Sequence, residues 1–396
     1  MESRRVRMID VAKAAGVSRT TVSFVLSGRD AGIPAETKQR VLRLARQMGY
    51  RPHDAALALA TGRTRRIGLV LNDPTSFIRS DSYVAHVLSG VLDGTLKHNY
   101  NLLLHSARYT DWHALYGEIL SGAADGTLLV GRFERDELTP ALLEAGVPVV
   151  CVSYQIEHPD CYSVDCDNEQ GGYLAVRHVI ERGHRQIAFF SPGETISWGR
   201  DRLLGARRAL VEAGLSEESL RVFVWQEAGL PSAEWTQEAL SFLLALNPRP
   251  TALVCCEEWR IRQVVEALPA MGMRVPEELV VVSFNSTEHS ARCRPPLTSV
   301  AQPLEQIGSA AVDMLIKRIE GRKLPERHRR FPVRLDVRES TQPDPSLAVI
   351  SDRKDIAPPA ASQPVPSVAS NGFPRCNAVV HQPDAQETFS TQQKGR

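Results

Sequence analysis

The stretch IDVAKAAGVSRTTVSFVL, from Ile9 to Leu26, decides the fold of the N-terminal region. Apolar residues recur at helical spacing in MIDVAKAA (8–15) and again in RTTVSFVL (19–26), which predicts two short amphipathic helices. Gly16 lies between them and supplies the sharp turn that ends the first helix. Two short helices joined by such a turn predict a helix-turn-helix, whose second helix fits a DNA major groove. Taken alone, the pattern also fits an ordinary helical hairpin.

The two helices are expected to pack through small apolar side chains. Ser18 precedes the second helix, where its hydroxyl is expected to cap the first turn. The expected inward-facing residues are Ile9, Val11, Ala12, Ala15, Val22, Val25 and Leu26.

Charge is distributed unevenly along the chain. Residues 1–66 carry 14 Lys and Arg against five Asp and Glu, a net charge of +9, whereas the remainder carries −8. Such asymmetry predicts a polyanionic partner for the basic part. A helical hairpin does not account for this charge, whereas double-stranded DNA as a partner does.

Length and composition bound the class of protein. The 396 residues allow two or three domains, and 43% hydrophobic content is typical of globular chains. No apolar run approaches the ~20 residues of a membrane span, and the N-terminus lacks the apolar core of a signal peptide. The seven cysteines form no CxxC pair and no zinc-binding spacing. We expect a cytoplasmic protein without a metal or other cofactor and without a membrane partner.

Short apolar runs alternate with helix-length stretches after residue 66. The runs are IGLVLN (67–72), NLLLHS (101–106), GTLLVG (126–131), VPVVCV (147–152), QIAFF (186–190), TALVCC (251–256) and LVVVSF (279–284). The clearest helical stretches are 82–99, 168–183 and 304–321. Continuous β-branched runs are typical of strands buried on both faces, and strict alternation predicts parallel sheets flanked by helices. So many units favour two similar α/β lobes.

The expected organisation therefore has four parts. A helical headpiece covers 1–52, a hinge and linker cover 53–66, and a two-lobed core covers 67–341. The last part, 342–396, is rich in Pro, Ser and Gln and shows no period of 2 or 3.6, which predicts a disordered tail.

The segment MIDVAKAAGVSRTTVSFVLSG (8–28) resembles the headpiece of the lac repressor/galactose repressor family of bacterial transcription factors. The resemblance continues through 35–71, where that family has its third helix, its hinge and its first core strand. It resumes at VIERGHRQIAFF (179–190), RDRLLGARRAL (200–210) and PPLTSVAQPLEQIGSAAVDMLI (295–316).

The resemblance implies roles in DNA binding for the second helix. Arg19 and Thr20 take the positions that read base edges, and an arginine there can bind guanine through two hydrogen bonds. Ser18, Thr21 and Ser23 are implied phosphate contacts, which fix register without reading sequence. Phe24 stands where family members often place a polar base-reading residue. It is expected either to contact a thymine methyl group or to pack against the third helix.

The stretch HDAALALATG (53–62) resembles the family's hinge helix, which folds on DNA. The resemblance implies that Leu59 inserts into the minor groove and that Ala56 lies on the close-packed dimer side. Such a wedge partly unstacks one base step and kinks the duplex. The alternative is a short linker helix in which Leu57 and Leu59 merely pack.

The core resembles a periplasmic-binding-protein fold: two α/β lobes joined by three crossovers, with a ligand in the cleft. Ligands of open α/β sheets lie beyond the carboxyl ends of the strands. This rule and the resemblance together imply the effector-binding residues Asn72, Asp73, Phe77, Ser153, Arg202, Glu257 and Asn285.

The chain departs from the family at two of these strand ends. Cys256-Glu257 replaces the usual Asn-Asp, and Ser283–Ser286 (SFNS) replaces Gly-Phe/Tyr-Asp-Asp. Carboxylate and amide acceptors beside flat apolar surfaces such as Phe77 or Trp259 still favour a carbohydrate-like effector.

The expected function is therefore a sequence-specific transcriptional regulator, a dimeric repressor that binds a palindromic operator under the control of a small effector. One headpiece reads a half-site, so that two related by a twofold axis read a palindrome. A solute-binding protein of the same core fold would carry a signal peptide and no headpiece. An α/β enzyme would need a nucleophile elbow, phosphate loop, metal cluster or dinucleotide fingerprint, and the sequence contains none.

Overall fold

The computed structural model describes residues 6–27, 32–50, 58, 61–71, 82–105, 112–131, 136–225 and 233–342. All of them belong to one compact unit, Met1–Ala348. None of the helices in these ranges has the length and apolarity that crossing a membrane requires.

Three helices form the headpiece: α1 (Met8–Ala15), α2 (Arg19–Ser27) and α3 (Ala35–Gln47). The predicted helix-turn-helix is confirmed, since α1 ends at Gly16 in the left-handed conformation (φ 64°). The third helix completes a small apolar core made of Val11, Ala12, Ala15, Val22, Val25, Val41 and Ala45.

Two details of the headpiece prediction have different outcomes. Ile9, expected to face inward, is 36% exposed, whereas Leu26 packs against the core as expected. The Ser18 hydroxyl accepts a hydrogen bond from the Thr21 backbone N–H at 3.0 Å, which confirms the predicted cap of α2.

Twelve strands in the described ranges form two six-stranded sheets. Their bounds are β1 (Arg66–Leu71), β2 (Asn101–Leu104), β3 (Gly126–Val130), β4 (Val149–Val152), β5 (Ser163–Cys166), β6 (Ile187–Ser191), β7 (Leu220–Val224), β8 (Ala252–Cys255), β9 (Val280–Asn285), β10 (Thr298–Ala301), β11 (His328–Phe331) and β12 (Arg334–Asp336). The first sheet has the order β11-β5-β4-β3-β1-β2 and the second has the order β12-β10-β9-β8-β6-β7.

Helices cover both sheets. Lobe 1, built on the first sheet, holds α4 (Ser82–Lys97), α5 (Trp112–Leu120), α6 (Leu138–Glu144) and α12 (Leu304–Ile319). Lobe 2, built on the second sheet, holds α7 (Asn168–Glu181), α8 (Ser197–Glu212), α9 (Ala233–Ala245), α10 (Glu258–Ala267) and α11 (Glu288–Arg292). The predicted helical stretches 82–99, 168–183 and 304–321 correspond to α4, α7 and α12.

The chain crosses between the lobes three times. It passes from β5 to α7, returns from β10 to α12, and passes again from β11 to β12. The expected two-lobed α/β core with three crossovers is therefore confirmed. The carboxyl ends of the strands before the first two crossovers meet in the region between the lobes.

The sheets differ from the prediction in three respects. The strand β2 is an edge strand with exposed ends, so the expectation that it is buried on both faces was wrong. The strand β12 runs antiparallel to β10, in sheets otherwise built from parallel pairs. Five strands were missed: β5, β7, β10, β11 and β12. They are short or polar, and most lie at or next to a sheet edge.

Glycines bring one helix pair into close contact in each lobe. A Cβ atom on Gly90 of α4 would lie 2.0 Å from the backbone O of Glu305 in α12. A Cβ atom on Gly172 of α7 would lie 1.8 Å from the backbone O of Arg202 in α8. Both contacts are with backbone atoms, so only glycine allows these helices to approach so closely.

Candidate DNA interface and effector cleft

The first turn of α2 presents polar side chains to solvent. Ser18, Arg19 and Thr20 are all exposed, while Val22 and Val25 on the opposite side are buried. The Ser18 hydroxyl is also 2.9 Å from the Thr21 hydroxyl, which holds both side chains at the start of the helix. Arg19 and Thr20 are thus free of the core packing that fixes α2.

The remaining predicted DNA-contacting residues lie further along α2. Thr21, Ser23 and Phe24 are half-buried. The backbone carbonyl of Phe24 accepts a hydrogen bond from the Ser27 hydroxyl at 3.3 Å.

Several predicted site residues lie outside the described residues. They are Ala56 and Leu59 of the hinge and Asn72, Asp73 and Phe77 of the cleft. The segment from 343 to the end of the predicted tail also lies outside them.

Arg202 is the centre of the lobe-2 side of the cleft. This side chain, 6% exposed, donates from Nε to Asn168 Oδ1 at 2.9 Å and from a terminal nitrogen to the Cys256 carbonyl at 2.6 Å. Its guanidinium carbon lies 4.7 Å from the ring centre of Trp198 and 4.2 Å from that of Phe284. Two rings and two hydrogen bonds therefore fix the plane of the guanidinium.

Glu257 and Asn285 lie beside Arg202 at the ends of their strands. Glu257 directly follows Cys256, and Asn285 directly follows Phe284, so both neighbours contact Arg202. Glu257 accepts from Nε of the buried Arg260 at 2.8 Å. The guanidinium carbon of Arg260 lies 4.8 Å from the ring centres of both Trp225 and Trp235. The Glu257 carboxylate is thus held in place by one oxygen.

A hydrogen-bond network joins these residues to the crossovers. Asn285 Oδ1 accepts from Gln302 Nε2 at 2.7 Å, and Gln302 Oε1 accepts from the Cys166 thiol at 3.2 Å. Cys166 and Gln302 lie at the β5–α7 and β10–α12 crossovers. The floor of the cleft is therefore tied by hydrogen bonds to two of the segments that connect the lobes.

Asp165 extends this network behind Arg202. Asn168 Nδ2 donates to Asp165 Oδ2 at 2.9 Å, while Asn168 Oδ1 accepts from Arg202. Burial raises the pKa of Asp165 to about 6, although the Cys166 backbone N–H and the charge of Arg202 partly oppose it. One amide therefore connects a titrating carboxyl group with the guanidinium of the cleft.

Ser153 is the predicted cleft residue of lobe 1 that the structure describes. It follows β4, has a left-handed backbone (φ 64°), and is 9% exposed. Its hydroxyl has no hydrogen-bond partner among the described residues. Two residues later the Gln155 N–H donates to the Ser197 hydroxyl of α8 at 3.1 Å, so this loop contacts the helix that carries Arg202.

The sequence did not point to four residues around Arg202, namely Trp198, Phe284, Asn168 and Asp165. Trp198 and Phe284 supply flat apolar surfaces beside Arg202. Trp198 precedes Arg202 by four residues, a spacing that places both on one face of a helix. Asn168 was missed because β5, the strand before it, is too short and polar to be recognised.

The cleft combines charged and amide groups with aromatic faces. Such a lining suits a polar ligand with flat apolar faces, which hydrogen bonds orient and rings pack against. Within the described ranges, no three His, Cys, Asp or Glu side chains come together as a metal site requires.

Known families match both parts of the chain. The family described as bacterial regulatory proteins, lacI family, matches residues 7–53, and the periplasmic-binding-protein-like domain matches residues 176–341. The HTH-type transcriptional regulator CelR of Thermobifida fusca is 32% identical over 348 residues, 86% of this chain and 100% of the relative. Catabolite control protein A of Priestia megaterium is 29% identical over 345 residues, 85% of this chain and 99% of the relative.

Solved structures agree with these relationships. A complex of the regulator CelR with cellobiose superimposes with a TM-score of 0.64 at 29% identity, covering 85% of this chain and all of that one. A lac repressor dimer bound to operator and an anti-inducer gives a TM-score of 0.70 at 23% identity, covering 85% and 99%, which shows the shared fold. The chain therefore belongs to the lacI family of bacterial regulatory proteins and is a DNA-binding transcriptional regulator, not an enzyme.

Proposed function

We propose that the protein is a dimeric repressor that binds a palindromic operator and is controlled by a carbohydrate-like effector in the cleft. The observation that carries the DNA-binding part is the exposed first turn of α2. Arg19 and Thr20 project from a helix whose other side is locked into the headpiece core. In this proposal they read base edges, Phe24 adds a further base contact, and Ser18, Thr21 and Ser23 bind phosphates.

The stacked guanidinium of Arg202 supports a carbohydrate-like effector. Sugars present hydroxyl groups that arginine, carboxylate and amide groups bind, and apolar faces that aromatic rings cover. Arg202, Glu257 and Asn285 supply the polar groups, and Ser153 supplies an unpartnered hydroxyl from lobe 1. The structure of a CelR–cellobiose complex, 29% identical to this chain, adds weight to this class. We assign Asn72, Asp73 and Phe77 to the same cleft.

Exposed leucines support a homodimer. In lobe 1, Leu92 and Leu96 of α4 are 50% and 77% exposed, and Leu104 at the edge strand β2 is 42% exposed. In lobe 2, Val224 at the end of the edge strand β7 is 43% exposed. Apolar side chains gathered at corresponding sheet edges are typical of a surface that a second copy covers.

The hinge and the domain boundaries complete the proposal. In this proposal Leu59 enters the minor groove and Ala56 lies at the dimer contact. The chain consists of the headpiece (1–52), the hinge and linker (53–66), the two-lobed core (67–341) and the C-terminal tail (342–396). The cytoplasm is the compartment in which such a regulator meets its operator. Effector binding shifts the balance between open and closed lobes, and can do so only to the extent that it binds one of them more tightly.

The test is selection of bound sequences from a random duplex pool, read at two salt concentrations with wild-type protein and with Arg19→Ala. A palindrome of about 14–20 base pairs with a flexible central step is expected from paired headpieces and hinges. Arg19→Ala should relax the preference at one position in each half-site, at a cost of about 1–3 kcal/mol, because a base contact is lost.

Lys13→Ala is the matched control, since Lys13 is an exposed cation on α1 rather than on α2. It should weaken binding to all sequences alike and lower its salt dependence. A pool without any palindrome, or an unchanged preference in Arg19→Ala, would contradict the proposed reading of DNA.

A further inference from the structure

The first two turns of α4 join lobe 1 to lobe 2. The Ser82 hydroxyl donates to the Thr287 hydroxyl at 2.5 Å, and His86 Nε2 lies 3.0 Å from Glu288 Oε2. Thr287 caps α11, and Glu288 is its first residue. Ser82 and His86 are one helical turn apart, so the two contacts lie side by side on one face of α4.

His86 also contacts the start of α12. Its Nδ1 forms a short hydrogen bond with Glu305 Oε1, directly after the crossover from β10. A neutral imidazole has one N–H, whereas the protonated ring has two. Donating to Glu288 and Glu305 at the same time therefore requires the protonated ring.

A buried carboxylate links these contacts to the cleft. Glu258, 3% exposed, accepts from the backbone N–H groups of Thr287 and Ser290, each at 3.0 Å, and from both of their hydroxyls. Four donors fix the position of α11 against Glu258. Glu258 directly follows Glu257, so the residue that anchors α11 is adjacent in the chain to a residue of the candidate cleft.

We propose that Ser82, His86, Thr287, Glu288 and Glu305 form a proton-dependent interlobe clamp that sets how readily the cleft opens. The clamp would regulate the protein only if lobe movement controls DNA binding, so this inference rests on the proposed function. It holds the lobes together when His86 is protonated and releases them when the ring is neutral. Effector affinity then depends on pH without any titrating group touching the effector.

The electrostatics of His86 agree with this geometry. Burial alone lowers its pKa, but the hydrogen bonds to Glu288 and Glu305 outweigh burial and raise the pKa above 6.5. His86 in turn lowers the pKa of Glu288. The clamp is therefore complete below pH 6.5 and is lost as the pH rises through the raised pKa.

Two helices pack their charged groups near this ring. Glu288 of α11 and Glu305 of α12 face it directly. The other charged or titratable residues of those helices are His289, Arg292, Asp313, Lys317 and Arg318. In the described part of the chain none of these hydrogen-bonds to His86, and Asp313 is instead bound by Lys97 and His98.

The experiment is small-angle X-ray scattering of the full chain without DNA or sugar, between pH 5.5 and pH 8.5. The radius of gyration of the wild type should increase with pH as the lobes open. His86→Gln should keep the larger value at every pH. His113→Gln, a change at an exposed histidine on α5 of the same lobe, should behave like the wild type. A wild type without pH dependence, or His86→Gln that retains it, would overturn the clamp.

A second variant and a second readout separate the clamp from the proposed function. Glu288→Gln keeps the histidine and should shift the transition to lower pH, which remains measurable if His86→Gln does not fold. Cellobiose affinity, taken as a probe, should change by about tenfold for each unit by which the pKa of His86 differs between open and closed lobes. The scattering result stands by itself, so failure of sugar or DNA binding would count against the proposed function and not against the clamp.

Discussion

The two lobes use the same helix packing for different purposes. In lobe 1, Gly90 of α4 meets the backbone of Glu305, and Gly308 of α12 meets that of Val87. In lobe 2, the equivalent contacts join Gly172 of α7 with Arg202 of α8, and Gly205 of α8 with Glu169 of α7. Each pair is thus held by two glycines at which an added Cβ atom would lie between 1.8 and 2.2 Å from a carbonyl oxygen.

The two helix pairs differ in the direction of the side chain that faces the glycine from the other helix, Arg202 in lobe 2 and Glu305 in lobe 1. The side chain of Arg202 is buried in the cleft between Trp198 and Phe284. The side chain of Glu305, 51% exposed, binds His86 at the outer end of its pair. One helix crossing therefore positions Arg202, the centre of the proposed effector site, and the other positions an interlobe contact. Close packing fixes the backbone so that the attached side chain has little freedom.

The largest effect is expected from adding a methyl group at these glycines. Gly172→Ala and Gly90→Ala should each lower the unfolding temperature by about 5 °C or more, because overpacking against backbone costs about 1–3 kcal/mol or more and exceeds the helix-propensity gain. Thermal unfolding followed by circular dichroism measures this. Gly172→Ala should also abolish sugar binding, whereas Gly90→Ala should retain it in the folded fraction.

Gly117 offers the matched control for both variants. It lies in α5, and a Cβ atom built there meets nothing within 4 Å. Gly117→Ala should raise the stability by about 0.5–1 kcal/mol, since alanine loses less backbone entropy in a helix. If Gly172→Ala behaved like Gly117→Ala, close helix packing would not be what positions Arg202.

Replacing the guanidinium itself is expected to have a smaller effect on folding and a specific effect on binding. Arg202→Lys keeps the charge but loses the planar group that stacks between two rings and donates to Asn168 and Cys256. Affinity for the best binder in a sugar panel that includes cellobiose should fall about 10- to 100-fold, measured by titration calorimetry. DNA binding without sugar should be unchanged.

Arg208→Lys tests whether the position within the helix pair matters. Arg208 also stacks on an aromatic ring, at 4.4 Å from the ring centre of Tyr173, but it is 40% exposed on α8. Sugar affinity should change less than about twofold, because exposed arginine contacts contribute little. An equal loss in both variants would mean that the stacking serves α8 in general rather than the cleft.

Much of this arrangement could be predicted from the sequence. The helix-turn-helix and the strands with long β-branched runs were found because their periodicity is strong. Arg202, Glu257 and Asn285 were named from the strand-end rule and the family resemblance, and the structure shows the Arg202 side chain in contact with Cys256 and Phe284, the residues directly before the other two.

The missed parts depend on contacts between distant segments. The strand β5 (SVDC) has too few apolar residues to stand out, and Asp165 and Asn168 were missed with it. Glu257 and Glu258 are consecutive at a helix start, and only the fold shows that one lines the cleft while the other is buried under Thr287 and Ser290. His86 carries no local signal, since its partners are more than 200 residues away.

The smallest expected effect concerns the carboxyl group behind Arg202, which is specific to the lobe-2 pair. Burial raises the pKa of Asp165 from 3.8 to about 6. Ionisation of this carboxyl group therefore lowers the free energy of unfolding by at most about 3 kcal/mol. About half of this loss develops between pH 5 and pH 8. The stability of Asp165→Asn relative to the wild type should therefore increase by about 1.5 kcal/mol over this range, measured by urea unfolding at each pH. Asp93→Asn, at an exposed position on α4 of lobe 1, should show no such trend. A constant difference between Asp165→Asn and the wild type would mean that Arg202, acting through Asn168, keeps Asp165 ionised, and that the lobe-2 pair holds a fixed ion pair where lobe 1 has a titrating histidine.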